Sequence, residues 1–437
     1  MAESAHILPG LRLRSHRFQL PLDYARSDGE TIEVFAREVW APDREGQQLP
    51  WLVFFQGGPG FGAPRPMGPN GWIGRALRDF RVLLLDQRGC GLSSPVTAQT
   101  LAALGDAQRQ AAWLSHFRAD NIVRDAEAIR RQLIGDEPWS VLGQSFGGFC
   151  AMNYLSSAPE GLREVLITGG IPPLTRTTDD IYRATYPRVR AKNLRYYARY
   201  PEDRQRVRDI VAHLLDHEVT MPRGGRLTPE RFLQLGIAFG ASDGFEAVHY
   251  LLEEAFVDIG GARHLNANFL LGIEEAQSFD SHPIYALLHE ACYTQGEASA
   301  WSAGRLRDSM PGFALPRTAA QALASDEPIL FTGEMIYPWM FEQYRGLIAL
   351  RGAAEALAAK TDWPALYDVQ RLRRNRVPVA AAVYYDDMYV HREFSEETAA
   401  IVPNMRLWVT NEHEHNGLRA DGEKIFERLL RRVRDEA

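Results

Sequence analysis

The chain has 437 residues, of which 45% are hydrophobic and 24% are charged, and its formal net charge at pH 7 is −7. A chain of this length can bury a large core and exceeds one typical domain, so we expect a core with a second domain or a large insertion. The acidic balance offers no basic surface for nucleic acid, and no apolar run approaches the roughly 18 residues that span a bilayer. We therefore expect neither nucleic acid nor membrane among its partners.

The cysteines and the first residues favour a cytoplasmic protein. Three widely spaced cysteines fit neither a disulfide framework nor a CxxC metal pair: Cys90, Cys150 and Cys292. Residues 1–10 lack the basic and apolar regions of a signal peptide. The histidines show no ligand spacing, so we predict no metal and no cofactor.

Strand-like runs dominate the first 172 residues. An N-terminal hairpin is predicted at about residues 12–40, around an Asp28-Gly29 turn. Residues 120–133 have the apolar spacing of a helix. Continuous apolar runs, typical of parallel strands buried on both faces of an α/β sheet, lie at 52–55, 82–85, 140–142 and 165–167.

From about residue 173 to 375 the strand-like runs nearly vanish, and amphipathic stretches rich in Arg, Glu, Ala and Leu take over. We interpret this region as a mostly helical insertion that covers the core. Strand signals return at 377–385 and 405–409, and a final helix is predicted at 421–434. The core is thus expected to comprise residues 1–172 and 376–437, split by a helical cap domain at 173–375.

The segment Gly-Gln-Ser-Phe-Gly at 143–147 matches the G-x-S-x-G pattern of a nucleophile elbow. It follows a strand-like run and precedes a helical stretch, which is the context in which this pattern carries a nucleophile. The glycines fit a turn in which backbone segments approach too closely for a Cβ atom. The alternative is a glycine-rich turn that contains a serine by chance, and the context disfavours it. Ser145 is therefore the predicted nucleophile of an α/β-hydrolase core, with a mostly parallel sheet and helices on both faces.

Hydrolases of this fold place an acid after a late strand and a histidine before the last helix. His415 is predicted as the base because the Asn-Gly turn after it can present its ring, and His413 is the structural alternative. Asp386 and Asp387 are adjacent at the end of a strand-like run, so they point in different directions. Chemistry alone leaves open which of the two orients the histidine.

Two glycine-containing loops follow the early core strands. The loop Gln-Gly-Gly-Pro-Gly at 56–60 can present a backbone N–H to a developing oxyanion, with the N–H of Phe146 as the second donor. Its alternative interpretation is a simple Gly-Pro turn. In the second loop, at 86–93, Asp86 and Arg88 are expected to form a buried pair that braces the first loop. Cys90 is expected to serve packing.

These motifs together resemble the prolyl aminopeptidases, also called proline iminopeptidases, a serine peptidase family of α/β-hydrolases. The resemblance rests on GGPG at 57–60, DQRGCGLS at 86–93, GQSFGG at 143–148 and the late Asp-to-His pair. The segments FTGEMIYPWMFE at 331–342, YYDDMYV at 384–390 and NEHEHNGLR at 411–419 resemble its longer bacterial subtype. The resemblance implies an exopeptidase without a cofactor, which releases an N-terminal proline from peptides through an acyl-enzyme on Ser145.

Carried over residue by residue, the resemblance implies Asp387 as the acid, because the aspartate before Met388 matches the family's pattern. It also implies Gly58 and Phe146 as the two donors of the oxyanion hole. Members of the family recognise the free N-terminal amine with glutamates of the cap. The substrate-binding residues implied for this chain are Glu334, which matches such a glutamate, with Gly57 and Tyr337.

Several alternatives stay open at this level. A second cap acid is expected, and Glu254 and Glu355 are candidates, while an ordinary solvated acid is the alternative for Glu334. Where the family's loop usually begins with histidine, this chain has Gln56. Another capped hydrolase, such as an esterase, amidase or tripeptidyl-type peptidase, and a non-catalytic protein that kept the fold are the competing functions. The oligomeric state has no signal in the sequence.

Overall fold

The computed structural model describes residues 5–26 and 28–435. Residues 1–4, on which part of the signal-peptide prediction rests, lie outside the described residues. The strands in chain order are β1 (His6–Leu8), β2 (Leu11–Pro21), β3 (Thr31–Trp40), β4 (Trp51–Phe55), β5 (Arg81–Leu85), β6 (Trp139–Gln144), β7 (Leu162–Thr168), β8 (Val219–Thr220), β9 (Arg226–Leu227), β10 (Phe256–Ile259), β11 (Ala262–Leu265), β12 (Val379–Tyr384) and β13 (Met405–Thr410).

Nine of these strands form one sheet, in the order β1-β2-β3-β5-β4-β6-β7-β12-β13. The strands from β5 to β13 in this order pair in parallel, and β1, β2 and β3 join the β5 edge in antiparallel pairs. In this register Phe55 lies opposite Gly143, and Gly143 lies opposite Ile167. The carboxyl ends of β4, β6 and β7 therefore meet beside residue 145.

The α-helices pack on both faces of this sheet. They are α1 (Gly71–Ala76), α2 (Ala98–Ala102), α3 (Ala107–Leu114), α4 (Ala119–Ile134), α5 (Phe146–Ser157), α6 (Thr178–Arg199), α7 (Asp203–Asp216), α8 (Pro229–Leu233), α9 (Gly244–Glu253), α10 (Ala267–Ala276), α11 (Pro283–Leu288), α12 (Ser302–Arg307), α13 (Ala319–Ala324), α14 (Met340–Gln343), α15 (Arg345–Ile348), α16 (Arg351–Ala359), α17 (Val369–Leu372), α18 (Arg392–Ile401), α19 (Gly417–Ala420) and α20 (Gly422–Val433).

Successive residues of the central strands face opposite sides of the sheet, so they join two separate apolar cores. Val53 and Val141 belong to one core, which α4 and α5 cover. Leu52 and Leu142 belong to the other core, which α1 and α20 cover. The predicted α/β class, with a mostly parallel sheet and helices on both faces, is confirmed.

The region between β7 and β12 contributes no strand to the large sheet within the described part of the chain. It forms helices α6 to α17 and two small hairpins, β8–β9 and β10–β11. Its buried residues, such as Val189 and Phe331, continue the core on the α5 side of the sheet. The division of the chain at 173 and 375 stays a prediction. None of the helices in residues 5–26 and 28–435 combines the length and the apolar character that crossing a membrane requires.

Candidate active site

Ser145 occupies a sharp turn between β6 and α5. Its backbone has φ 56° and ψ −124°, a conformation that costs a non-glycine residue about 1–3 kcal/mol. Two hydrogen bonds hold it there: the Ser145 N–H donates to the Thr168 carbonyl at 2.9 Å, and the Ser145 carbonyl accepts from the Gly148 N–H at 2.7 Å. The strain is stored where the side chain must leave the sheet and face a reacting group.

The glycines around Ser145 are required by close backbone contacts. A Cβ atom on Gly147 would lie 1.9 Å from the Phe55 carbonyl oxygen, and one on Gly148 would lie 2.3 Å from the Gly170 carbonyl oxygen. Contacts under 3 Å cannot be accommodated without moving the backbone. These approaches bring α5 against β4 and β7, as the turn prediction expected.

Ser145, His415 and Asp387 form one hydrogen-bonded chain. The Ser145 Oγ lies 2.8 Å from the His415 Nε2, and the His415 Nδ1 lies 2.7 Å from the Asp387 Oδ2. Asp387 follows β12, and His415 lies between β13 and α19. The second oxygen of Asp387 accepts from the N–H groups of Tyr389 at 2.9 Å and Val390 at 3.1 Å. The carboxylate is therefore held by the backbone on one side and holds the imidazole on the other.

The alternatives for acid and base point elsewhere. Asp386 forms a surface ion pair with Arg195 at 2.8 Å. His413 packs edge-on against Trp408, with ring centres 6.1 Å apart. Of the two aspartates and the two histidines, the structure brings only Asp387 and His415 to Ser145.

The charge environment of His415 favours its protonated form. Burial by itself lowers the pKa of the imidazole, but the carboxylate of Asp387, with smaller contributions from Glu334 and Glu414, outweighs burial. The net effect raises the pKa of His415 above its ordinary value. A buried carboxylate beside the ring thus stabilises the imidazolium that forms when His415 takes a proton.

The loop after β4 lies directly against the nucleophile. A Cβ atom on Gly57 would be 2.9 Å from the Cβ of Ser145 and 2.7 Å from the side-chain oxygen of Gln144. Gly58 has φ 133°, which favours glycine. Phe146 begins α5, so its N–H is among the first-turn donors that have no partner within the helix. The roles of Gly58 and Phe146 as oxyanion donors stay predictions.

The predicted Asp86–Arg88 pair is wrong. Asp86 accepts from the guanidinium of Arg65 at 2.9 Å and 2.5 Å, and from the N–H groups of Ala63 and Leu92. Arg88 forms a buried pair with Asp125 instead, at 2.7 Å and 2.6 Å. Both ionic partners come from other segments of the chain, which the sequence of this loop does not reveal. Asp86 holds the segment that follows the glycine loop at 56–60, since it accepts from the Ala63 N–H at 2.8 Å.

Glu334 lies in the loop between α13 and α14 with its carboxylate largely buried. The Tyr285 hydroxyl donates to its Oε2 at 3.2 Å, and the His289 Nε2 lies 3.8 Å from its Oε1. Burial raises the pKa of Glu334 to about 8, and the charge of Asp387 acts in the same direction, against His415 and the Tyr285 hydrogen bond. Glu334 is therefore close enough to Asp387 and His415 for their charges to interact with its own.

Comparison with known proteins assigns the chain to a family. Residues 50–252 match the family model described as the alpha/beta hydrolase fold. A proline iminopeptidase from Aeromonas sobria is 51% identical over 431 residues, which are 98% of each chain. One from Aspergillus aculeatus is 39% identical over 434 residues, 98% of this chain and 95% of that one. The chain belongs to the proline iminopeptidase family. It is an enzyme, a hydrolase of the α/β-hydrolase fold.

A solved structure of proline iminopeptidase from Mycobacterium smegmatis is also similar. It is 13% identical, with a TM-score of 0.44, and the match covers 96% of this chain and 98% of that chain.

The other residues that the family resemblance suggested for binding have partners away from the Ser145 chain. The Tyr337 hydroxyl bonds to the Tyr186 hydroxyl at 2.9 Å, inside the helical region. Glu355 pairs with Arg351 on the surface of α16 at 2.9 Å, and Glu254 is exposed. The binding role of Tyr337 stays a prediction, and neither acid is placed near Glu334 by a contact of its own.

The helical region also holds the loop that carries His415, which sequence reasoning missed. The His415 N–H donates to the Gly240 carbonyl at 3.0 Å, and the ring of Tyr389 packs edge-on against the imidazole, with ring centres 4.7 Å apart. The Tyr389 hydroxyl donates to the Ile237 carbonyl. Lys192 of α6 pairs with Glu414 at 2.5 Å. No sequence motif predicts the three contacts with the helical region, because each of them joins residues at least 150 positions apart in the chain.

The three cysteines of the chain are free and buried. Burial raises the pKa of the Cys90 thiol to about 12, with Asp86 acting in the same direction, so the thiolate is strongly disfavoured. Among the described residues, no group of three or more His, Cys, Asp or Glu side chains is arranged to hold a metal ion.

Proposed function

We propose that this enzyme is a serine exopeptidase that releases an N-terminal proline from peptides, with Ser145, His415 and Asp387 as its catalytic residues. The observation that carries the proposal is the continuous hydrogen-bonded chain from the Asp387 carboxylate through His415 to the Ser145 Oγ. Two relatives that match over nearly their full length are proline iminopeptidases, which supports the choice of substrate.

The order of the hydrogen-bonded groups, from Asp387 through His415 to Ser145, indicates the role of each residue in the reaction. His415 Nε2 takes the proton of Ser145 as the Oγ attacks the prolyl carbonyl carbon, and Asp387 keeps the other ring nitrogen protonated. The imidazolium then gives its proton to the leaving amine of the second residue, which leaves a prolyl ester on Ser145. Water, activated by His415 in the same way, hydrolyses that ester to free proline and restores the hydroxyl.

The oxyanion of each tetrahedral intermediate is assigned to the N–H groups of Gly58 and Phe146. Each donor in such a site contributes about 3 kcal/mol to the transition state. Gly57 supports this assignment, because a Cβ atom on it would lie 2.9 Å from the Cβ of Ser145, so the loop is directly beside the nucleophile.

Specificity is assigned to Glu334, supplied by the helical region that we propose as a cap at 173–375. A buried carboxylate with a raised pKa gains a great deal when a cation arrives, since the ion pair replaces the hydration that burial removed. A substrate with a free N-terminal ammonium supplies that cation, whereas the interior of a peptide chain does not. We also infer that the enzyme acts in the cytoplasm, where its three buried, free cysteines would stay reduced.

The test compares the β-naphthylamides of proline and alanine with p-nitrophenyl acetate, using wild type, Ser145→Ala and Glu334→Gln. We expect wild type to cleave the proline amide far faster than the alanine amide, and Ser145→Ala to lose all three activities. Glu334→Gln should lose the amine substrates preferentially. Cleavage of the ester alone by wild type would instead favour an esterase or another capped hydrolase and would remove the role of Glu334.

A further inference from the structure

His289, directly after α11, is a buried histidine without a hydrogen-bond partner. Both of its ring nitrogens lack one among the described residues, and its side chain is 4% exposed. The ring stacks on Tyr285 at 4.9 Å between centres and meets the edge of Tyr293 at 6.1 Å. Leaving a buried polar atom without a hydrogen-bond partner destabilises the folded protein. Because aromatic neighbours fix the ring while its nitrogens lack partners, we expect the missing hydrogen-bond partner to arrive with the substrate.

The unpartnered Nε2 of His289 faces Glu334, at 3.8 Å from the carboxylate oxygen. Burial lowers the pKa of His289 to about 4, so the ring is neutral near pH 7 and has one nitrogen free to accept a hydrogen bond. A single nitrogen placed about 2.8 Å from both acceptors would see them at about 85°, and an opening of less than about 1 Å would make that angle tetrahedral. The pair can therefore grip one ammonium group from two sides.

The neighbouring acid is turned away from this position. Glu290 accepts from the N–H groups of Ser302 at 3.3 Å and Ala303 at 3.0 Å, at the start of α12. Both carboxylate oxygens of Glu290 are therefore occupied by backbone donors inside the helical region. His289, and not its acidic neighbour, is the side chain that lies beside Glu334.

Helix α11, which ends directly before His289, lies against the predicted oxyanion loop. A Cβ atom on Gly60 would lie 2.9 Å from the Cβ of Ile284 and 3.0 Å from the Tyr285 nitrogen. Phe61 packs edge-on against Tyr285, with ring centres 5.9 Å apart. The His289–Glu334 pair is thus connected through α11 to the loop that contacts Ser145, which suits recognition of the first residue of a peptide.

We propose that Glu334 and the neutral His289 accept the two N–H bonds of a secondary ammonium, and that this count selects proline. The inference rests on the proposed function. An N-terminal proline presents two N–H donors, whereas every other N-terminal residue presents three. Two acceptors satisfy proline fully, while a primary ammonium must bury a third N–H without one of these partners. His289 is then a specificity-determining residue, and the ring of proline is only part of what the site reads.

The test separates the number of N–H donors from the shape of the ring. We would measure kcat/KM for the β-naphthylamides of proline, alanine and N-methylalanine, since N-methylalanine has a secondary amine but no ring. Wild type should cleave the N-methylalanine amide at least about 5-fold better than the alanine amide, because one unsatisfied buried donor costs about 1–3 kcal/mol, which is about 5-fold to 150-fold in kcat/KM. His289→Phe keeps the aromatic stack but removes the acceptor, so that ratio should fall towards one. His289→Gln, whose amide oxygen accepts, should restore part of it.

The ratio is taken within each preparation, so a partly unfolded variant leaves it unchanged. His413→Phe is the matched control, since His413 has no contact with Ser145 or Glu334, and it should keep the wild-type ratio. Equal rates for N-methylalanine and alanine in wild type, or an unchanged ratio in His289→Phe, would overturn the inference while proline cleavage still upholds the exopeptidase. If wild type cleaves no amine substrate at all, the proposed function fails, and the inference fails with it.

Discussion

Replacing Glu334 with glutamine should stabilise the protein while it weakens activity on amine substrates. Burial raises the pKa of this carboxyl from 4.5 to about 8 in the folded protein. Between those pH values the unfolded chain has lost the proton and the folded chain keeps it. The stability of the wild type must therefore fall as the pH rises through this window. Glutamine has the same shape and no charge to bury, so Glu334→Gln lacks this loss.

The expected difference in stability between Glu334→Gln and wild type follows from the pKa of Glu334. Each pH unit between the two pKa values costs about 1.4 kcal/mol, which gives an upper limit of about 5 kcal/mol above pH 8. Because 15% of the Glu334 side chain is exposed to solvent, we expect a gain in the free energy of unfolding of about 2–3 kcal/mol for the variant. With about 2.1 cal/mol/K of unfolding entropy for each of 437 residues, 1 kcal/mol corresponds to about 1 °C in Tm. The variant should melt about 2–3 °C above wild type at pH 8.5.

Thermal unfolding at pH 4.5, 6.5 and 8.5 is the assay. The Tm difference should be near zero at pH 4.5, where both side chains are neutral, and should grow with pH. Glu355→Gln is the control, because Glu355 forms an exposed ion pair with Arg351, and its Tm difference should stay small at every pH. A difference for Glu334→Gln that does not change with pH would refute the argument from burial.

Three further predictions concern the triad and the turn that carries it. Gly147→Ala should lower Tm by several degrees, because its Cβ would lie 1.9 Å from a carbonyl oxygen, whereas Gly304→Ala, with its nearest contact at 3.4 Å, should not; equal Tm values would contradict the clash. Tyr389→Phe should lower kcat about 5-fold on both ester and proline substrates with KM unchanged, since it loses one hydrogen bond of about 1 kcal/mol to the loop beside His415; unaltered kcat would remove its positioning role. The rate of ester hydrolysis by wild type should rise with pH with a midpoint above pH 6.5, because His415 acts as a base only when it is neutral. Asp387 raises the pKa of His415 against the effect of burial, so a midpoint below pH 6.5 would contradict this prediction.

The sequence determined the features whose physics is local. Ser145 and the glycines around it could be identified because a tight strand-to-helix turn requires them within six residues, and the close contacts of Gly147 and Gly148 show why. The central strands were predictable as well, since burial on both faces requires continuous apolar runs. The chain order of the hydrolase fold adds His415. The family resemblance adds the choice of Asp387.

Tertiary structure decided every feature that depends on partners distant in sequence. Asp86 and Arg88 are two residues apart, yet each pairs with an ion from another segment, because burial selects the partner that fills the local space. The cap contacts of His415 and the unpartnered ring of His289 likewise carry no sequence pattern, since any residue type can offer a carbonyl and most buried histidines are satisfied. A motif can identify the residues that react, but only the packed structure shows which groups position them and which groups are free to bind the substrate.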